Sequence, residues 1–226
     1  MTRLSILSEI TLKKSLLIGT ILRIILLPFT AHPFDVYAWY KLCISIIKQG
    51  VSVEAALSTL RPLWYSIIVP IAYTYSTLSK IINVKAVPVN KIPSLYNPYY
   101  DIELIPDPLF IVLLKIPLVL SDIASTLILY KLLQERYHDK KNSDEAAALF
   151  YLNPVCIWIT AAWGQYESLL VFFTLLSIYF FIKDRHFSSA LSLLASIMLK
   201  IYSVIVLLPI MIILYKRKNS KALITY

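Results

Sequence analysis

The run LFIVLLKIPLVLSDIASTLILYKLL at residues 109 to 133 gives the clearest indication of the fold of this chain. A membrane-spanning α-helix needs about 20 predominantly apolar residues, and this run is longer than that. Its only charged side chains are those of Lys115, Asp122 and Lys131. The run therefore predicts a helix that crosses a lipid bilayer, and the rest of the chain is best interpreted around it.

The composition of the whole chain supports a membrane protein. Hydrophobic residues make up 58% and charged residues 15%, and the mean hydropathy is +0.71. The apolar fraction of soluble domains is nearer about 45 to 50%. The net charge of +9 comes from basic residues at the ends of apolar segments, so it excludes a nucleic-acid partner and indicates membrane topology. The prediction is an all-α, polytopic membrane helix bundle.

Further apolar runs at 15–31, 146–163, 169–182 and 187–215 predict additional spans. Cytoplasmic segments of membrane proteins carry an excess of lysine and arginine, so the segments between these runs predict the orientation. The basic residues that mark the cytoplasmic side, and with it a cytoplasmic N-terminus, are Arg3, Lys13, Lys14, Arg136, Lys140, Lys141, Lys183, Arg185, Lys216, Arg217, Lys218 and Lys221.

The side of the membrane that later segments reach depends on whether the run at 62–83 crosses the bilayer. If it crossed the bilayer, the helix at 109–133 would deliver the basic loop at 136–141 to the outer side. We therefore expect 62–83 to lie in the outer interface, within one large external first loop that extends from 32 to 107. The last run is interrupted by Lys200, which predicts either a hairpin of two short helices or one long tilted helix.

Two charged residues fall well inside predicted spans, where an unpaired charge is expensive. Arg23 and Asp122 are expected to face the bundle interior and to pair with each other, with Lys115 as the alternative partner of Asp122. We expect this pairing to be a structural clasp.

The topology brings polar residues of three segments to the external side: HPFDVYAWY at 32–40, WGQYE at 163–167 and KIY at 200–202. A carboxylate there, Asp35, can take a proton from a hydroxyl, and a nearby ammonium group, Lys200, can stabilise a departing phosphate. The structural alternatives are that Asp35 caps a helix after Pro33, and that Glu167 complements a helix dipole.

Other residues have plainer interpretations. Asp101, Glu103 and Asp107 are expected to be solvated loop acids, with Asp107 as the second candidate base. The tryptophans, Trp64 among them, are more often interfacial belt residues than sugar platforms.

The order of motifs resembles the GT-C glycosyltransferases, in particular those that use dolichyl-phosphate sugars. The resemblance is carried by Asp35 among aromatics, RPLWYSIIVPIAYTYSTL at 61–78, LNPVCIWITAAWGQYESLL at 152–170 and LLASIMLKIYSVIVLLP at 193–209. It implies a single domain over 1–226 that lacks the C-terminal spans of longer relatives. It also implies Asp35 as catalytic base. The implied substrate-binding residues are His32, Trp39, Arg61, Trp163, Gln165, Tyr166, Glu167, Lys200 and Tyr202.

The function implied by this resemblance is transfer of a hexose from a polyprenyl- or dolichyl-phosphate carrier to a lipid-linked or protein acceptor on the external side. The location would be the plasma membrane of a prokaryote or the endoplasmic reticulum of a eukaryote, with membrane lipid as a further partner. The sequence indicates no metal site, and the cofactor, a divalent metal among the options, is left open. The alternatives are a non-catalytic membrane subunit or truncated remnant of such an enzyme, and a small transporter.

Overall fold

The computed structural model describes residues 11–58, 61–92, 102–217 and 225–226. Most of these residues are helical, as predicted, although an antiparallel β-hairpin interrupts the expected all-α chain. The elements are α1 (Leu12–Leu26), α2 (Pro33–Gln49), α3 (Val53–Ser58), α4 (Pro62–Ile82), β1 (Val87–Ile92), β2 (Ile102–Ile105), α5 (Pro108–Tyr137), α6 (Lys140–Tyr151), α7 (Pro154–Ile157), a π-helix (Trp158–Trp163), α8 (Glu167–Ile182), α9 (His186–Leu199), a 3₁₀-helix (Ile201–Val206) and α10 (Leu207–Lys216).

The longest helix, α5, contains the run that opened the sequence analysis. Asp107 caps its N-terminus by accepting a hydrogen bond from the amide of Phe110 at 3.1 Å. In the described part of the chain, α5 is the helix that by length and composition could cross a membrane. Helix α6 and the segment Pro154–Trp163, bent by 43° at the break between them, pass the same test only as a pair.

Of the other predicted spans, 169–182 is one continuous helix, α8, whereas the rest are shortened or interrupted. The predicted span at 15–31 ends early, at Leu26, because Pro28 has no amide hydrogen and cannot continue the hydrogen bonds of the helix. The remaining shorter apolar helices are Glu167–Ile182, His186–Leu199 and Ile201–Lys216.

A buried ion pair joins α1 to the middle of α5. Nη2 and Nε of Arg23 both lie 2.9 Å from Oδ2 of Asp122, and both side chains are almost fully buried. The guanidinium also lies 4.0 Å over the ring of Tyr151. Gly19 allows this approach, since a Cβ there would lie 2.5 Å from that ring. The predicted clasp is confirmed, with Arg23 and not Lys115 as the partner of Asp122.

Polar contacts at helix termini define one end of the bundle, which we call the basic end. Here the start of α1 meets α6, the end of α5 meets the end of α8, and the end of α10 returns to the α8–α9 turn. The contacts are Leu12 N to Asp144 (3.2 Å), Lys183 to Glu135 (2.7 Å) and Arg217 to Asp184 (3.4 Å). The basic residues predicted to share one side do meet here; Arg3, Lys218 and Lys221 lie outside the described residues.

The opposite end, which we call the Asp35 end, is covered by α2, α4 and the β-hairpin. Near its start α4 brings Arg61 close to Tyr166 and α9, and further along Tyr75 donates a 2.5 Å hydrogen bond to Asp107 at the start of α5. Both contacts lie at the same end, so α4 runs across the bundle and not along it. Trp64 is buried in the core here, so its assignment to an interfacial belt is wrong.

One of the three acidic residues expected to be solvated in the loop is buried. Asp107 is 4% exposed, so its solvated interpretation is wrong: the cap of α5 and the Tyr75 hydroxyl hold it inside. Burial and the carboxylate of Asp107 both raise the pKa of Tyr75, so this phenol stays neutral and donates. Glu103 is exposed on β2, and Asp101 lies outside the described residues.

The last predicted run folds as a hairpin. Helix α9 ends at Leu199, and Lys200 has an extended backbone with φ −150° and ψ 127°. Across the break, the hydroxyls of Ser196 and Ser203 lie 3.0 Å apart. The chain then returns until Arg217 reaches Asp184, beside the start of α9. The alternative of one long tilted helix is therefore wrong.

Candidate functional site

The carboxylate of Asp35 lies where the first turn of α2 meets the turn after the π-helix. Its Oδ2 accepts a hydrogen bond from Nε1 of Trp163 at 2.6 Å and another from Nε2 of Gln165 at 2.5 Å. The side chain is 21% exposed. The sequence alternative in which Asp35 caps its helix is wrong, because the N-cap residue is His32. The carboxylate instead ties α2 to the 163–165 turn.

His32 connects the same two segments from the other side. Its ring stacks on Trp163 with centroids 4.6 Å apart, and its amide donates to the Trp163 carbonyl at 3.0 Å. Nδ1 accepts from the Asp35 amide at 3.3 Å and lies 3.2 Å from the Asp35 carboxylate. The first contact requires a lone pair on Nδ1 and the second a proton there, so one imidazole cannot make both contacts at once.

The backbone that presents Trp163 is unusual in two respects. Trp163 is the last residue of a π-helix, Trp158–Trp163, which is wider than an α-helix. Short π-helical segments often occur at functional sites. Gly164 then ends the π-helix with φ +88°, in the left-handed region. A Cβ at this position would lie 3.1 Å from Cε of Lys115 and 3.4 Å from Val36. Both the conformation and the space therefore require glycine.

Gly164→Ala is expected to lower the free energy of unfolding by about 2 kcal/mol, because left-handed backbone costs about 1 to 2 kcal/mol and Lys115 must shift. Gly50→Ala gives the cost of backbone strain alone: Gly50 has φ +83° and ψ −177°, a region open essentially to glycine, and no atom lies within 4 Å of its Cβ position. Unfolding in mixed detergent would measure both. A Gly164→Ala variant as stable as the parent chain would contradict the requirement for glycine at this turn.

Lys115 is the residue of this region that sequence reasoning did not place in the site. It is fully buried, and its Nζ lies 2.7 Å from the carbonyl oxygen of Ala161, 3.2 Å from that of Ala162 and 3.4 Å from that of Leu27. The carbonyl oxygen of Thr30 is also an acceptor, so the three hydrogens of the ammonium are shared among four carbonyls. These carbonyls follow α1 and end the π-helix, where helix dipoles place negative charge. The position of Lys115, a charged residue well inside the apolar run at 109–133, was the sequence feature that could have indicated its role.

A second cluster of predicted residues surrounds Tyr166. Its ring stacks on Trp64 at 4.8 Å and meets the edge of Trp39 at 5.8 Å. Arg61 lies 5.6 Å and Lys200 5.0 Å from the same ring. Burial raises the pKa of Tyr166, which keeps the phenol neutral. Tyr166 thus contacts α2, α4 and the helix break at Lys200 at the same time.

The ammonium of Lys200 pairs with the carboxylate of Glu167, in the first turn of α8. Tyr202 lies beside it, 5.8 Å from the ammonium to the ring centroid. A cavity of about 610 Å³ opens next to this pair, and Arg61 and Lys200 are the charged residues of its lining. Its other lining residues are Pro62, Ile197, Met198, Leu199, Ile201 and Tyr202.

The structure brings the predicted residues together as two clusters that share the 163–167 turn. Asp35 contacts Gln165 of this turn, whereas Lys200 contacts Glu167. No hydrogen bond or ion pair joins Asp35 to Lys200 within the described residues. A base and a phosphate-stabilising cation that act on the same sugar carbon must both lie next to that carbon. Here Asp35 and Lys200 are instead bound by different residues of the turn.

The family model described as GPI transamidase subunit PIG-U matches residues 96–225. No curated protein and no solved structure matches the chain. The predicted membership of the GT-C glycosyltransferases is therefore wrong. The hexosyltransferase activity and the polyprenyl-phosphate sugar donor are wrong with it, because the matched family is that of a subunit of a different enzyme. The match covers more than half of the chain, which therefore belongs to the PIG-U family of GPI transamidase subunits.

Proposed function

We propose that this chain is a non-catalytic membrane subunit of a transamidase complex, and that its partners are the other subunits of that complex. The observation that carries the proposal is the PIG-U match over residues 96–225, which takes in α5 to α10. The alternative of a non-catalytic subunit, already drawn from the sequence, agrees with it.

The charges at the Asp35 end support a scaffolding role. The Asp35 carboxylate is held by Trp163 and Gln165, and Lys200 is neutralised by Glu167. In this proposal both charges fasten α2 and the α9 break to the 163–167 turn, and Asp35 is a structural residue. Partners would then meet a rigid surface at this end.

Co-purification tests the subunit assignment. The full chain, carrying an affinity tag, is isolated from native membranes in mild detergent after brief cross-linking, and the eluate is sequenced by mass spectrometry. We expect proteins whose sequences match other GPI transamidase subunits. A chain recovered alone, or only with proteins of unrelated families, would contradict the proposal. Tagged Asp122→Ala, which breaks the buried ion pair, serves as the destabilised control.

We also propose that the chain is a multi-pass integral membrane protein and that 1–226 forms one domain. Helix α5 would cross the bilayer, α4 would lie in the interface, and the basic end would face the cytoplasm. The support is the grouping of basic residues at the end opposite Asp35, which fits the positive-inside rule.

Cysteine labelling in sealed vesicles is expected to place Lys85 and Asn142 on opposite sides of the membrane. Both residues are exposed, Lys85 just before β1 and Asn142 in α6 at the basic end. The background for Lys85→Cys and Asn142→Cys lacks the native thiols of Cys43 and Cys156. An impermeant maleimide should modify one variant before permeabilisation and the other only after it. Modification of both from the same side would overturn the interfacial placement of α4.

A further inference from the structure

A polar cavity of about 370 Å³ opens at the basic end between α5 and α8. Its lining consists of Lys131 and Glu135 from α5, Tyr179 and Lys183 from α8, and Arg185 at the N-cap of α9. Three cations and one carboxylate leave the lining with a net charge of +2. This cavity plays no part in the site at the Asp35 end.

The internal pairing of these side chains leaves positive charge available to a ligand. Glu135 is engaged by Lys183 at 2.7 Å, and the ammonium of Lys131 lies 5.3 Å from the ring centroid of Tyr179. The guanidinium of Arg185 has no hydrogen bond or ion pair within the described part of the chain. The first amides of α9 lack a side-chain cap, and uncapped amides of this kind favour an anion. The cavity therefore suits a phosphate group.

The surface of α5 above the cavity is apolar and exposed. Leu120 and Leu127 are 59% and 45% exposed, and they share a helix face with Lys131, because the spacings of seven and four residues return to the same side. Leu127 lies about 6 Å along the axis from Lys131. A ligand with its anionic group in the cavity can therefore place an acyl chain along this stripe, which inorganic phosphate cannot do.

We infer that the cavity between α5 and α8 binds the phosphate headgroup of an anionic phospholipid, with an acyl chain against Leu120 and Leu127. The inference rests on the membrane part of the proposed function. Lys131 and Arg185 contact the phosphate, and Lys183 remains tied to Glu135 at its edge. Basic pockets between helices on the cytoplasmic side are a recurrent mode of binding such headgroups.

The test uses the full chain, first reconstituted into phosphatidylcholine nanodiscs and then titrated with phosphatidylglycerol, with retained lipid counted by native mass spectrometry. Lys131→Gln combined with Arg185→Gln is expected to weaken retention of phosphatidylglycerol by about tenfold or more, since both charge-assisted hydrogen bonds to the phosphate are lost. Lys14→Gln combined with Lys141→Gln is the matched control, because it removes two exposed cations of the same end that do not line the cavity. This control should change retention less than twofold.

The outcomes separate the two proposals. Equal losses in both double variants would overturn the cavity as a site and leave the membrane assignment intact. Competition by inorganic phosphate as effective as that by phosphatidylglycerol would overturn the lipid as its ligand. A chain that does not enter nanodiscs at all would overturn the membrane assignment, and this inference with it.

Discussion

Asp122→Ala is expected to lower the free energy of unfolding by about 3–5 kcal/mol, the usual cost of removing one partner of a buried ion pair. The variant leaves the guanidinium of Arg23, which is fully buried, without its carboxylate. It also leaves a cavity in the middle of α5. Unfolding in mixed detergent, followed by circular dichroism, measures the loss.

Two controls locate the cause of this loss. Asp184→Asn removes one charge of the ion pair with Arg217, in which both side chains are more than half exposed, and should cost less than about 1 kcal/mol. Asparagine is chosen because Asp184 has φ +55°, a left-handed conformation that asparagine tolerates. Arg23→Met combined with Asp122→Leu removes both charges and should recover much of the stability, because no charge is then stranded. If Asp122→Ala were no more destabilising than Asp184→Asn, the ion pair of Arg23 with Asp122 would have no structural role.

Lys115→Met is expected to lower the free energy of unfolding by about 3 kcal/mol or more, because an unsatisfied buried polar group costs about 1–3 kcal/mol and several carbonyls lose their donor together. Methionine keeps an unbranched apolar side chain as far as the ε position and removes the terminal ammonium with its charge and donors. Because the ammonium joins Thr30 to Ala161 and Ala162, the loss should spread to the Asp35 end.

Hydrogen exchange distinguishes this local effect from general destabilisation. The amide of His32, which donates to the carbonyl of Trp163, should exchange faster in Lys115→Met, whereas amides in the middle of α8 should change less. Lys141→Met is the control, since Lys141 is an exposed lysine at the basic end. Stability losses of the same size in the two variants would contradict the role assigned to Lys115.

The resemblance to glycosyltransferases failed for a reason visible in the residues. Its motifs were short runs of aromatic and small residues with one charge each, and such runs also build the packing of a membrane bundle. Trp64 shows this: it belongs to one of the quoted motifs, yet it is buried against Tyr166 in the core. Motif order alone did not separate a catalytic site from a structural one.

Sequence alone predicted the helical class, the long helix at 109–133, the grouping of basic residues at one end and buried partners for Arg23 and Asp122, although it left Lys115 open as the partner of Asp122. These features follow from the length and apolar content of single segments and from the high free-energy cost of an unpaired charge in a membrane span. Both can be recognised in the sequence without knowing how distant segments pack. The break at Lys200 was also visible, although sequence left its two geometries open.

The groups that engage the charges at the Asp35 end could be identified only from the three-dimensional structure. The partners of the Asp35 carboxylate lie 128 and 130 residues away in the chain, and Lys115 reaches carbonyls of two other segments. Their approach depends on a π-helix and on the left-handed Gly164, neither of which leaves a periodic pattern. Hydrogen bonds need distances near 3 Å, and such distances are fixed by packing between distant segments and not by local sequence.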